Sequence, residues 1–314
     1  TAYAASGAVS SIMESYEKNA ENSYTVDYLE EDPYLVNIYE GYGFAKDYNS
    51  ARGHAYVLED VSSIERPHAL ANCLTCKTAD FTKLVNDLGE DAYSLDFEET
   101  FADMHDNVGC YTCHENKVAD GTLVLTHDYT VNAIGDEMGD AIAPAVAVCG
   151  QCHTEYYFKP ENKATNVPYT DIASMDPAAE LAYYDELGFA DWTQESTGTP
   201  LLKVQHPEME TYLAGPHASE LNCADCHMPV VQNTETQEIY HSHYIVSPLS
   251  DPTLLETCAR CHGDTDMVAF VHNIQDRVTA EEKRVGNKLA AFRQALTDAV
   301  QAGMLSDAVL DDLR

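Results

Sequence analysis

"CGQCH", residues 149–153, sets two thiols three positions apart and follows them at once with an imidazole. The same Cys-x-x-Cys-His pattern returns at Cys110–His114, Cys223–His227 and Cys258–His262, and once in altered form as "CLTCK", Cys73–Lys77. These stretches use all 10 cysteines of the 314-residue chain, so none is left for a structural disulfide or a lone nucleophile. Zinc ribbons take such pairs two at a time, and five pairs do not divide that way. Thioredoxin-like redox motifs come singly beside a βαβ pattern, which the sequence lacks. Cys-x-x-Cys-His is the attachment signature of c-type haem: the thiols become thioethers on the porphyrin and the next residue reaches the iron. Four copies define a multihaem cytochrome c. Strand signals are sparse, and turn dipeptides and short helical stretches dominate. The fold expected is therefore mainly α, with porphyrins rather than sheets filling the core.

Covalent haem c is attached outside the cytoplasm, so a periplasmic or otherwise extracytoplasmic protein is expected, soluble or peripherally membrane-associated. "TAYAASGAVS" carries no signal peptide, so a leader is expected to have been removed. No apolar run approaches the roughly twenty residues that span a bilayer. The formal charge is −36, from 17 basic and 53 acidic residues. That sign disfavours nucleic acid as a partner; solubility or a salty habitat accounts for it more simply than a basic partner.

Residues 1–60 are rich in tyrosine and acid, with "EEDPYLVNIYEGYGF" as an aromatic segment. The haem motifs then run irregularly to His262, which excludes a solenoid of equal repeats. From about Thr279 the pattern becomes helical. Thr279 with Glu282 makes a capping box, Val285, Leu289, Phe292, Leu296 and Val300 recur at helical spacing, and Gly303 suits the position after the helix. Ser306 then caps a second helix carrying Val309, Leu310 and Leu313, which stops within one to two turns and leads us to expect a longer chain. The organisation expected is a catalytic domain over 1–275 and the start of a C-terminal helical region over 276–314.

"EDPYLVNIYEGYGFAKDYNSARGHAY", "CLTCK", "CGQCHTEYYF", "LLKVQHPEMETYLAGPHASELNCADCHMP" and "TCARCHG" together resemble the pentahaem, ammonia-forming cytochrome c nitrite reductases, in family order and over nearly the whole chain from about residue 25. The family's long C-terminal helices are only begun here. The resemblance implies a single haem-packed domain with five covalent haem c groups and calcium. It makes Lys77 the proximal ligand of the catalytic haem, in place of the histidine that would mark a saturated electron-transfer site. The bond takes the amine in its neutral form. Arg52, Tyr156 and His206 match the family's distal trio, and their types suit nitrite: Arg52 holds an anion with fixed donors, His206 polarises an oxygen and relays protons, and Tyr156 offers a phenol. The calcium ligands implied are the Glu155 carboxylate, the Tyr156 and Lys203 carbonyls and the Gln205 amide oxygen, all hard donors.

The other haems are expected to be bis-histidine wires. His114, His153, His227 and His262 are the proximal ligands, joined to porphyrins through Cys110 and Cys113, Cys149 and Cys152, Cys223 and Cys226, and Cys258 and Cys261. By resemblance His54 faces His153, His217 faces His262, and His243, with His241 as its competitor, faces His114. The His227 haem lacks a matching partner: a continuation of the chain supplies it, or His272 substitutes, or the iron is five-coordinate, and the first is preferred. His68, His105, His127 and His272 read as ordinary, with partnering a haem propionate as the alternative for any of them. The function implied is six-electron reduction of nitrite to ammonium, with hydroxylamine and nitric oxide as further substrates. A multihaem quinol dehydrogenase or other cytochrome is the donor implied, with homodimerisation through the C-terminal helices. A purely electron-carrying pentahaem protein competes with this reading, but a wire needs no open iron. An oxidative, hydroxylamine-oxidising relative would carry more motifs and a tyrosine cross-link.

Overall fold

The computed structural model describes residues 7–115, 121–135 and 142–313. Among the described residues short helices and 3-10 turns predominate, as expected for a mainly α protein, joined by three antiparallel two-stranded hairpins. The hairpins pair Tyr157–Phe158 with Thr165–Asn166, Trp192–Thr193 with Pro200–Leu201, and Val230–Gln232 with Ile239–His241.

Part of the acidic excess is spent on starting these helices. Asp96 accepts from the Glu99 N–H, Asp176 from Ala178 and Ala179, and Asp251 from Thr253; Pro177 and Pro252 follow the last two at the first helical position. Each such cap is worth about 1 kcal/mol, and a proline there loses no hydrogen bond.

The apolar core is small and split. One cluster gathers Leu58, Val61, Leu74, Phe81, Tyr93 and Phe97 around the Cys73–Lys77 motif. The other gathers Tyr129, Ile142, Val146, Val167, Tyr169 and Met209 beneath Cys149–His153. The polypeptide exposes 18089 Å², whereas a folded monomer of this length exposes roughly 13,000 Å². One cavity measures ≈ 2850 Å³, several times the roughly 300–1,000 Å³ of a single-ligand pocket.

The C-terminal helix differs from its expected start. It runs over Met267–Gln301, begun by Asp266, whose carboxylate accepts from the Ala269 N–H. Thr279 lies in mid-helix and caps nothing, and the expected domain boundary at 275/276 falls inside the helix. The stretch before Thr279 carries Phe270, Ile274 and Val278 at helical spacing, and Asp266 is the better cap. The end matches expectation: Gly303 takes φ 63°, and its N–H and that of Met304 return to the carbonyls of Val300 and Ala299. Ser306 Oγ accepts from the Val309 N–H at 3.4 Å at the head of Asp307–Leu313.

This long helix docks on the aromatic N-terminal segment. Buried Arg293 donates from Nε to Gln194 Oε1 at 3.0 Å and from Nη1 to the Ile38 carbonyl. Lys283 pairs with Asp32 at 3.1 Å, and Gly286 lies against the Tyr34 ring. Tyr42 stacks on Trp192 with centroids 4.5 Å apart. Leu296 is buried here, but Phe270, Ile274, Val285, Leu289 and Phe292 are exposed.

Candidate active site

In each Cys-x-x-Cys motif the chain makes a helical turn, so positions i, i+3 and i+4 fall on one face. His114 N–H reaches back to the Cys110 carbonyl at 2.9 Å, His153 to Cys149 at 3.0 Å, and Lys77 to Leu74 at 3.0 Å. The fourth and fifth motifs lie in the helices Cys223–His227 and Pro252–His262. None of the 10 cysteines is engaged in a disulfide.

Within "CGQCH" the glycine is required by packing. A Cβ on Gly150 would overlap Met209 Sδ, and Met209, only 2% exposed, has nowhere to go. Gly150→Ala is expected to cost about 1–3 kcal/mol by overpacking, seen as a lowered midpoint in thermal unfolding of the mature protein.

Histidines distant in sequence meet in pairs. The ring centroids of His54 and His153 are 6.1 Å apart, those of His114 and His243 6.2 Å, and those of His217 and His262 6.2 Å. Two metal–imidazole bonds of roughly 2.0–2.1 Å, with about 1.1 Å from each ring centre to its nitrogen, require about 6.3 Å. The three pairs thus leave room for one metal each, so these residues fit haem iron. Burial, with His153 and Lys77 alongside, holds His54 down to about 4, keeping it in the neutral form that ligates. His241 forms no ring pair among the described residues; its Nδ1 lies 3.1 Å from the Met228 carbonyl. His227 forms no ring pair among the described residues; its Nδ1 lies 3.0 Å from the Val246 carbonyl, and His272 is exposed on the long helix.

Lys77, Arg52, Tyr156 and His206 all line the large cavity. Tyr156 and His206 lie nearly parallel, centroids 6.2 Å apart and planes at 19°. Burial pushes the Tyr156 phenol far up, so it is a hydrogen-bond donor at any working pH. Arg52 is held by Asp60 through Nε and Nη2, both at 2.6 Å, and by Glu59 at 3.0 Å. Its Nη1 donors carry no bond among the described residues.

Glu155 is 3% exposed. Its Oε2 accepts from the Gln205 N–H at 2.6 Å and its Oε1 from the Tyr184 hydroxyl at 3.1 Å, and burial pushes its carboxyl up to about 7. Gln205 Nε2 donates to the Lys203 carbonyl at 3.1 Å. Glu155, Lys203 and Gln205 are therefore gathered with Tyr156 adjacent in sequence. A cation there takes the Gln205 amide by its oxygen, a rotation that exchanges two isosteric groups.

Sequence reasoning missed Glu208. Its two oxygens lie 3.8 Å from His153 Nδ1 and 3.7 Å from His206 Nδ1. Burial alone would raise it, but His153 and His206 hold it well below the usual carboxylate range. It stands beside both rings, the place an outer-shell carboxylate takes next to a ligating histidine. Asp60 was missed likewise. The signal for Glu208 was its place two residues after His206; Asp60, eight after Arg52, gave none. Glu208→Gln is expected to lower turnover by about 10–100-fold, with all haems retained by mass analysis.

Cysteines of different motifs also lie near one another: the Cys76 and Cys152 sulfurs are within 4.8 Å, Cys149 interacts with Cys223 and Cys226 with Cys258. Over residues 3–314 the sequence matches the family model described as cytochrome c552.

The chain belongs to the cytochrome c552 family.

A solved structure with which this cytochrome c552 family member shares the fold is the catalytic subunit, NrfA, of the cytochrome c nitrite reductase from Desulfovibrio desulfuricans. The two are 26% identical; the match has a TM-score of 0.73 and covers 93% of this chain and 70% of that one. That protein is described with two calcium sites.

Proposed function

We infer that this protein is an ammonia-forming nitrite reductase: nitrite takes up six electrons and eight protons and leaves as ammonium and two waters. The observation that carries the reading is the one motif with lysine for histidine, opening on the cavity that also receives Arg52, Tyr156 and His206. Haem c held by Cys73 and Cys76, with Lys77 beside it, would supply the iron that takes nitrite and passes it electrons. Arg52 holds the anion through its unused donors, Tyr156 hydrogen-bonds it, and His206, steered by Glu208, delivers protons as each N–O bond breaks. Hydroxylamine and nitric oxide fit the same pocket.

The contacts between motifs suggest the wiring. The fifth motif meets the fourth through Cys258 and Cys226, the fourth meets the third through Cys223 and Cys149, and the third meets the lysine motif through Cys152 and Cys76. His153, paired with His54, stands last before the catalytic centre. The exposed apolar stripe on Met267–Gln301 supports homodimerisation through the C-terminal helices, and a multihaem quinol dehydrogenase or another cytochrome supplies electrons. No helix among the described residues is long and apolar enough to cross a membrane; haem attachment places the protein outside the cytoplasm, in the periplasm where there is one.

Calcium is held by Glu155, Gln205 and the carbonyls of Tyr156 and Lys203. Binding displaces the Glu155 proton, because a carboxyl held up at about 7 is protonated below that pH and ionised above it. Calcium affinity is therefore expected to rise about tenfold from pH 6 to pH 8, measured by calorimetry on chelator-treated protein; a flat profile counts against Glu155 as ligand.

The decisive assay is ammonium formation from nitrite with reduced viologen. Stoichiometric ammonium, with a high-spin haem signal that shifts on adding nitrite, is the expected result. Low-spin spectra only, with no ammonium, would leave an electron carrier.

A further inference from the structure

His127 read as an ordinary histidine in the sequence, but the structure gives it an unusual place. It is 6% exposed, and its Nε2 is buried without a hydrogen-bond partner among the described residues. A ring nitrogen of His127 and the sulfurs of Cys76 and Cys152 all lie within 4.8 Å of one another. Cys76 belongs to the lysine motif and Cys152 to "CGQCH". The imidazole therefore stands where the anchors of two haems meet, at the last step of the wiring.

Its position is firmly built. Gln151, fully buried between the cysteines of "CGQCH", accepts at Oε1 from the N–H groups of Thr126 (2.8 Å) and His127 (3.2 Å). Gln151 Nε2 donates to the Thr112 carbonyl at 3.1 Å, inside the second motif. The Tyr129 ring packs on His127 with centroids 5.6 Å apart. The Tyr129 hydroxyl bonds the Gln151 carbonyl and lies 3.5 Å from Cys76 Sγ. The backbone cannot move the imidazole away without breaking the bonds that join three motifs.

A buried N–H needs an acceptor. The acceptors in reach are sulfurs, and a sulfur keeps weak acceptor capacity as a thioether. We propose that His127 is a positioning residue of the electron-transfer junction: its imidazole N–H bonds to the Cys76 and Cys152 sulfurs and raises the reduction potential of the haems they carry. A donor at the sulfur draws electron density from the porphyrin edge and favours the electron-rich, reduced state; hydrogen bonding around a haem is one of the levers a protein has on its potential. The lysine-ligated haem and the His153 haem are tuned by one residue and stay matched. This rests on the reading of Cys76 and Cys152 as haem anchors.

The test is spectropotentiometric titration of the mature protein, without nitrite, in His127→Leu, His127→Met and His127→Gln. The apolar variants are expected to lower the potential of the high-spin haem and of one low-spin haem by about threefold in the reduction equilibrium, about 30 mV for a one-electron couple. The glutamine variant, which keeps an N–H donor, is expected to stay near wild type. Unchanged potentials in both apolar variants would overturn the proposal, and so would an equal shift of all haems, which reports general loosening. If the apolar variants fail to acquire their haems while the glutamine variant matures, the donor is required and the proposal stands. If the glutamine variant fails too, shape rather than hydrogen bonding is at stake and the proposal falls. A wild-type protein without a high-spin haem would instead overturn the reading of Lys77, a separate outcome.

Discussion

Lys77→His is expected to keep five covalent haems and to lose most nitrite reduction. The thioether bonds depend on Cys73 and Cys76, which the substitution leaves alone, and the helical turn that presents residue 77 is a backbone feature closed by its N–H on the Leu74 carbonyl at 3.0 Å. What changes is the donor on the iron. An imidazole is bulkier than an amine on a flexible stem, and the cavity here also receives His54, which burial keeps neutral. The loss should exceed the roughly 10–100-fold that removal of an outer-shell partner costs. The readouts are ammonium formation, the high-spin signal and a haem count by pyridine haemochrome and intact mass. Full activity would show that lysine ligation is dispensable; a count of four in the wild type would make "CLTCK" a decayed copy.

His206→Gln is the second large effect. The ring lies 6.2 Å from Tyr156 and is 53% exposed in its side chain, so it faces the cavity rather than packing into protein. Glutamine keeps a polar group and a hydrogen bond but cannot take and give a proton. Proton transfer by a positioned side chain contributes about 10²–10⁴-fold, and nitrite reduction needs it repeatedly, so kcat should fall within that range while KM changes little. Steady-state kinetics decide this. A fall in apparent nitrite affinity at constant kcat would assign His206 to binding instead.

How much of this was legible in the sequence depended on range. The Cys-x-x-Cys motifs are local patterns, and their helical turns follow from spacing alone. The histidine partners are not local: His54 and His153 are drawn together by folding, and only resemblance singled out His54, His217 and His243. The start of the long helix was misplaced because Thr279 and Glu282 make a sound local capping signal, while the helical spacing of Phe270, Ile274 and Val278 carries the helix back to Asp266. Glu208 and His127 were missed for a related reason. Each matters through what it touches across the fold, and nothing in "HPE" or "LTHDY" states those contacts.

The divided core has a bearing on how the protein is made. Each of its two apolar clusters contributes to the wall of the ≈ 2850 Å³ cavity, so cofactor attachment is also a step of collapse. A chain short of one haem keeps an apolar wall open to solvent and a loose set of tethers around it. Such a chain is a substrate for proteases and holdases. Maturation of this cytochrome therefore carries its own inspection: the fully loaded molecule is the one that closes.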